Sequence, residues 1–344
     1  MKVAVNARVT RFAMGGQQRV TAEILNRLGS VVEVAPRSPL GGVKGHVWEQ
    51  GVLPFRTLGQ LLWSPSATGP IAKAHQVVTL HDVAFLDVPE CFSKQFALFY
   101  KALMPILVHR VARVVTVSEF SRQRIIECFG LDPLRVDVIE NGVSANFRPY
   151  SDAEIEVTRR ELALPARYLL LQATADKRKN LRGALEAWTR AQKQVPDDVT
   201  LVVSGHLGRA HVFGDLGPIQ DVPRTKLLGF IDERHMGPLM AGAEAFLFPS
   251  LYEGFGLPII EAMACGTPVL TANATATREV AADAAVLVDP ASVQEMSDGI
   301  VRLVEGADLR ASLVERGLKR AGEFTWDNAA AKYRDLFRSL GGEL

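Results

Sequence analysis

Short apolar runs alternate with segments of helical period along most of the chain, the pattern of parallel strands covered by helices. In the first half, residues 2–6, 31–34, 76–80, 113–117 and 136–139 have strand length. In the second half the corresponding runs are 168–173, 199–204, 226–228, 245–248, 268–271 and 285–288. The second series repeats the first, which predicts two doubly wound α/β units with ligands at the carboxyl ends of their strands. Asn141, Gly142 and Val143, then Phe147, Arg148 and Pro149, mark the exit from the first, and Leu164 with Pro165 the entry to the second sheet. A last helix follows Phe324, Thr325, Trp326 and Asp327 and runs to about Leu340, with Thr325 or Asp327 as its cap.

The 344 residues suffice for two cores, and 48% hydrophobic content excludes a disordered chain. No apolar run approaches the roughly 18 residues of a membrane span. Met1 and Lys2 lead straight into the first strand, so a cytoplasmic protein without a secretory signal is expected. Cys91, Cys128 and Cys265 lie scattered in helical-looking segments, which predicts buried thiols. Residues 1–148 hold 17 lysines and arginines against 11 acidic residues, and the remainder 22 against 27. A basic first half suits an anionic acceptor or the inner membrane face, and no nucleic-acid partner is expected. Residues 94–110 are apolar and edged with cations, as in a helix packed on the first sheet and kinked at Pro105, or one resting on a membrane.

The densest chemistry follows the run 245–248, where Pro249 and Ser250 close a strand. Gly254 and Gly256 permit a tight turn, and Pro258 suits the first turn of a helix beginning near Leu257. Backbone N–H groups at such a start hold anions, a diphosphate among them. Glu253 and Glu261, with seven residues between them, flank that point. After the run 168–173, Lys177, Arg178, Lys179 and Asn180 open another helix and set cations beside the strand ends. His81 and Asp82 directly follow the run 76–80, and Gly15 with Gly16 opens a helix through Val20, Ile24 and Leu28. No G-x-G-x-x-G turn follows the first strand, which excludes a dinucleotide-dependent oxidoreductase. D-x-D, H-E-x-x-H, paired cysteines and a P-loop are all missing, so no metal and no cofactor are expected.

The string from Ser250 through Glu253, Gly254, Phe255, Gly256, Leu257 and Pro258 to Glu261 resembles the glutamate-seven-residues-glutamate signature of retaining glycosyltransferases of family 4. The resemblance covers nearly the whole chain. It implies the GT-B fold, two Rossmann-like doubly wound domains facing across a cleft, with the C-terminal helix crossing back. Residues 1–148 with about 325–344 would then form the acceptor-side domain and 149–324 the donor-binding domain.

The same resemblance implies site roles. Glu253 and His81 would meet the transferred sugar as the catalytic pair, and Glu261 the ribose hydroxyls. Gly15 and Gly16 would approach the donor sugar, while Phe230 and Ile231 would meet the nucleobase through their backbone. Gly254, Phe255, Gly256 and Leu257 would face the diphosphate with Lys179. Thr174 stands where the family has an arginine, and Arg178 is either its substitute or a surface charge. Asp82 would orient His81 or meet the acceptor. The likeness extends to bacterial surface-polysaccharide mannosyltransferases, which implies GDP-mannose as the nucleotide sugar and a glycan or lipid-linked glycan as acceptor. A sugar-nucleotide epimerase of similar fold, or a non-catalytic nucleotide-sugar-binding subunit, is the alternative.

Overall fold

In the computed structural model, which describes residues 1–12, 15–205, 212–213, 217–218 and 222–344, the chain forms two units. One comprises Met1–Gly142 with Thr325–Leu344, the other Val143–Phe324. The exit after Gly142 falls on the first of the two expected stretches, 141–143, ahead of Phe147, and there the Val143 N–H donates to the Phe324 carbonyl at 3.1 Å. The returning chain and the departing one run side by side there.

The first unit holds a parallel sheet of β1 (Val3–Asn6), β2 (Val32–Val34), β3 (Leu61–Ser64), β4 (Gln76–Thr79), β5 (Arg113–Thr116) and β6 (Val136–Val138). Their order is β2-β1-β3-β4-β5-β6, so the connections change direction between β1 and β3. Strand β3 was not among the expected ones. Leu61, Leu62, Trp63 and Ser64 are buried on both faces, and a four-residue run of that kind shows no alternation to read.

Trp63 also explains why the chain end belongs to this unit. Its indole N–H donates to Thr79 Oγ1 at 3.0 Å, and that hydroxyl shares a hydrogen bond of 2.9 Å with the Tyr333 hydroxyl. Tyr333 and Phe337 lie on the helix Trp326–Ser339, their rings 4.9 and 5.9 Å from that of Trp63. Thr325 caps this helix by accepting the Asn328 N–H. The helix Lys94–Arg110 runs unbroken with Pro105 inside it, burying Leu103, Met104, Leu107 and Val108. Leu98 and Ile106 on its other side are exposed. Among the described residues no helix is long and apolar enough to cross a membrane.

The second unit repeats the plan with β7 (Arg167–Gln172), β8 (Val199–Ser204), β11 (Thr225–Gly229), β12 (Ala245–Phe248), β13 (Val269–Ala272) and β14 (Ala285–Val288). A short antiparallel pair, β9 (Val212–Phe213) and β10 (Gly217–Pro218), stands apart from this sheet. The parallel order is β11-β8-β7-β12-β13-β14, with the change of direction between β7 and β12. Leu169, Leu171, Leu201, Val203 and Leu247 pack with Trp188 into its core. The cysteines are all free, but only Cys265 is buried, which corrects the expectation for Cys91 and Cys128.

Replacing Tyr333 by Phe removes the partner of a buried hydroxyl, a loss of about 1 to 3 kcal/mol. Urea unfolding of the first unit, followed by Trp63 fluorescence, should shift to a lower midpoint. An unchanged midpoint would show that the Thr79 bond contributes nothing to holding the last helix.

Candidate active site

Ligands in open α/β sheets bind outside the carboxyl strand ends where the connections change direction. In the second unit that place lies between β7 and β12, and the two loops singled out from the sequence both leave from it. Lys179 ends the 3-10 turn Lys177–Lys179 after β7. Its Nζ donates to Glu253 Oε1 at 2.7 Å and stands 4.7 Å from the centroid of the Phe248 ring. The structure therefore joins the expected cation to the expected carboxylate.

Backbone and amide bonds hold these loops in register. The Leu251 N–H donates to the Arg178 carbonyl at 2.7 Å. Asn180, at a positive φ of 53° that asparagine tolerates, donates its side-chain amide to the carbonyls of Pro249 (3.1 Å) and Pro290 (2.7 Å). The loops after β7, β12 and β14 are thereby tied at one residue. Glu253 is anchored in turn to the segment after β13, its N–H donating to Thr275 Oγ1 at 3.3 Å.

Arg178 takes a place that the sequence did not suggest. Its backbone N–H and its guanidinium both bond Asp176, the latter at 2.6 Å, so its charge is turned onto its own loop. Burial works to raise the Asp176 carboxyl, but the Arg178 bonds and the charges of Arg178 and Lys179 outweigh it and hold it below the usual carboxylate range.

Gly256, with φ of +106°, ends the β12 loop, and a Cβ there would stand 2.9 Å from Ile259 Cδ1. The helix Leu257–Ala264 then begins as expected, with Pro258 in its first turn. Glu261 is buried one turn along it. Burial pushes the neighbouring Cys265 thiol up to about 12, and the Glu261 charge adds to the rise, which leaves that thiol inert. The Phe255 ring is buried against Phe324, its centroid 5.6 Å away, so only the Phe255 backbone remains for a ligand. At the end of β11, Phe230 is 78% exposed whereas Ile231 is buried.

Gly205 was not anticipated. It follows β8 with φ of +124°, and a Cβ there would lie 1.9 Å from the Ala173 carbonyl oxygen. Its N–H donates to the Gly229 carbonyl at 2.7 Å, which links the ends of β8 and β11. A glycine directly after a buried strand was the available signal. Among the described residues no group of three or more His, Cys, Asp or Glu is placed to hold a metal.

In the first unit, His81 stands two residues past the end of β4, after Leu80. Its Nε2–H donates to the Pro65 carbonyl at 3.1 Å, which selects the tautomer with a lone pair on Nδ1. Burial lowers the His81 pKa below the ordinary value, against the opposing charge of Asp82 and the bond to Pro65. The imidazole is thus neutral at pH 7, and the stability linked to it is complete above pH 6.5 and falls as acid forces it to charge. Asp82 accepts the Ala84 N–H at 2.9 Å. Gly15 has extended backbone, and a Cβ there would stand 2.9 Å from Gln18 Oε1, whereas one on Gly16 would meet nothing within 4 Å. Ala13 and Met14, in the loop leading to them, lie outside the described residues.

The sequence model of the family described as Glycosyl transferases group 1 matches residues 154–320, and that of Glycosyltransferase Family 4 matches residues 58–147. O-antigen chain mannosyltransferase B of Escherichia coli is 31% identical across 77% of this chain and 70% of its own. An MMP alpha-(1->4)-mannosyltransferase of Mycolicibacterium hassiacum is also 31% identical, across 66% of this chain and 54% of that relative. The phosphatidyl-myo-inositol mannosyltransferase of Mycobacterium tuberculosis is 25% identical over 93% of this chain and 91% of its own. Among solved structures, Anabaena Alr3699/HepE in complex with UDP and glucose superposes with a TM-score of 0.76 at 20% identity, covering 98% of this chain and 100% of that one. WaaG, a glycosyltransferase involved in lipopolysaccharide biosynthesis, does so at 0.76 and 16% identity, covering 97% and 99%. With its two parallel-sheet units and these relatives, the chain belongs to the family 4 glycosyltransferases of GT-B fold and is an enzyme of glycosyl transfer.

Proposed function

We propose that this glycosyltransferase moves mannose, with retention of anomeric configuration, from GDP-mannose to a glycan or lipid-linked glycan in surface polysaccharide or glycolipid synthesis. The pairing of Lys179 with Glu253 at the β7–β12 crevice carries the reading of the site. The relatives named as mannosyltransferases support the choice of sugar.

Breaking the bond between sugar and diphosphate leaves negative charge on the phosphate and positive charge at the anomeric carbon. Lys179 and the helix start at Leu257 meet the first, with no metal cofactor in this reading. Arg178 joins them by exchanging Asp176 for phosphate. Glu253, already beside Lys179, accepts a hydrogen bond from a sugar hydroxyl and offsets the second charge. Glu261 takes the ribose hydroxyls, and the backbone at Phe230 and Ile231 the base. Neutral His81 offers Nδ1 to a sugar hydroxyl, Gly15 and Gly16 admit the sugar closely, and Asp82 stands toward the acceptor. The departing phosphate itself takes the acceptor proton.

A lipid-linked acceptor fits the exposed face of the helix Lys94–Arg110. Leu98, Ala102 and Ile106 lie there between Lys94, Lys101 and Arg110, apolar groups flanked by cations as at a membrane interface.

Lys179→Ala and Glu253→Ala should each lower transfer from GDP-mannose by at least about tenfold, the least expected for losing a charge-stabilising group. A variant with near-normal transfer would remove its residue from the mechanism, and a β-linked product would remove retention. Leu98→Glu with Ile106→Glu should weaken sedimentation with vesicles containing anionic lipid while leaving transfer to a water-soluble mannoside intact. Equal sedimentation of wild type and variant would sink the membrane assignment.

A further inference from the structure

The first unit has its own change of direction, between β1 and β3, and the chain there is organised around one helical turn. Trp48, Glu49 and Gln50 lie near the end of the helix Gly42–Gly51. Trp48 and Glu49 are buried, Trp48 packing with Ala4 and Leu62. Glu49 Oε1 accepts the Asn6 side-chain amide at 2.6 Å, at the end of β1. Its other oxygen faces Arg8 NH2 at 3.8 Å. Arg8 reaches the Leu40 carbonyl and the Thr68 hydroxyl, at 3.3 and 3.4 Å. A Cβ on Gly45 would stand 2.4 Å from the Arg8 guanidinium, so glycine at that helical position makes room for it.

Gln50 is the third member of the turn. Its Nε2–H donates to the Gly69 carbonyl and its Oε1 accepts the Ile71 N–H, both at 2.9 Å. One planar amide thereby grips the backbone of residues 65–71, the loop leaving β3, at two points. Gln76 adds a bond to the Pro70 carbonyl, and the Ala67 N–H donates to the Thr79 carbonyl at 2.9 Å. The first residue of the same loop is Pro65, whose carbonyl receives His81 Nε2–H.

We propose that Gln50 is a positioning residue for His81, acting through residues 65–71, with Arg8 and Glu49 as the support of that grip. The acceptor that decides which His81 nitrogen carries the proton is a carbonyl on a loop held from outside the sheet. Displacing that loop turns the imidazole or releases its tautomer, and a misplacement of about 1 Å in a reacting group can cost up to about a hundredfold in rate. The proposal rests on the reading of His81 as a group that contacts the transferred sugar.

The test is a double-mutant cycle of Gln50→Ala and His81→Ala, using whichever nucleotide sugar the wild type turns over from a panel of GDP-, UDP-, ADP- and dTDP-sugars. It is combined with nitrogen NMR of the His81 ring in the unliganded protein. Gln50→Ala should lower kcat by about tenfold or more, within the range a positioning defect allows, and should have no further effect when His81 is already Ala. Gln50→Glu, which keeps the acceptor for Ile71, should fall between. The His81 ring should lose its single Nε2–H tautomer in Gln50→Ala. Losses that multiply in the double variant, or ring signals unchanged by Gln50→Ala, would overturn the proposal while leaving His81 its role. Full activity of His81→Ala would overturn the reading of His81 and the proposal with it.

Discussion

The bond between Lys179 and Glu253 is the constraint on which the candidate site of the second unit depends. Side chains 22% and 15% exposed place the two charges partly out of water, where removing one partner leaves the other poorly compensated. The pair spans the crevice between β7 and β12, and Asn180 and the Arg178 carbonyl close the same gap through backbone. The two loops therefore form one preorganised surface, and in the proposed function a diphosphate competes with Glu253 for a lysine already in place. Preorganised charge of this kind acts where charge develops, without reorganisation at the moment of reaction.

The first unit rests on a different device. Its polar groups are arranged so that an imidazole is neutral and single in tautomer. Burial removes the charge from His81 and the Pro65 carbonyl fixes its proton. A neutral ring can accept from a hydroxyl, which a charged one cannot. The hydrogen-bond chain from Trp63 to Tyr333 passes through Thr79, two residues before His81, so the last helix of the chain also bears on the strand that presents it.

Much of this was legible in residue order. All eleven expected runs became strands within one residue at each end, because strands buried on both faces read as valine and leucine runs bounded by turns. Glu253 and Lys179 stood out because loops at strand ends carry chemistry. Strand β3 was hidden by its brevity and by Trp63, a residue equally at home in a helix. The partner of Arg178 was hidden because Asp176, two residues away, caps the turn, and only the folded backbone brings its carboxylate to the guanidinium. Gln50, Gly205 and Asn180 act across sequence distances of 19 to 110 residues, which no local pattern encodes.

The central claim is that the crevice beside Lys179 is the donor site, and ligand-dependent stability measures it without requiring an acceptor. A thermal-shift panel of GDP, UDP, ADP and dTDP, on wild type and Lys179→Ala, is the direct test. At a hundredfold excess over Kd a ligand adds about 2.7 kcal/mol, and each kcal/mol raises the melting temperature of a domain this size by roughly 2 to 4 °C. GDP should give such a rise in the wild type and much less in Lys179→Ala. A flat panel, or an equal rise in the variant, would contradict the account.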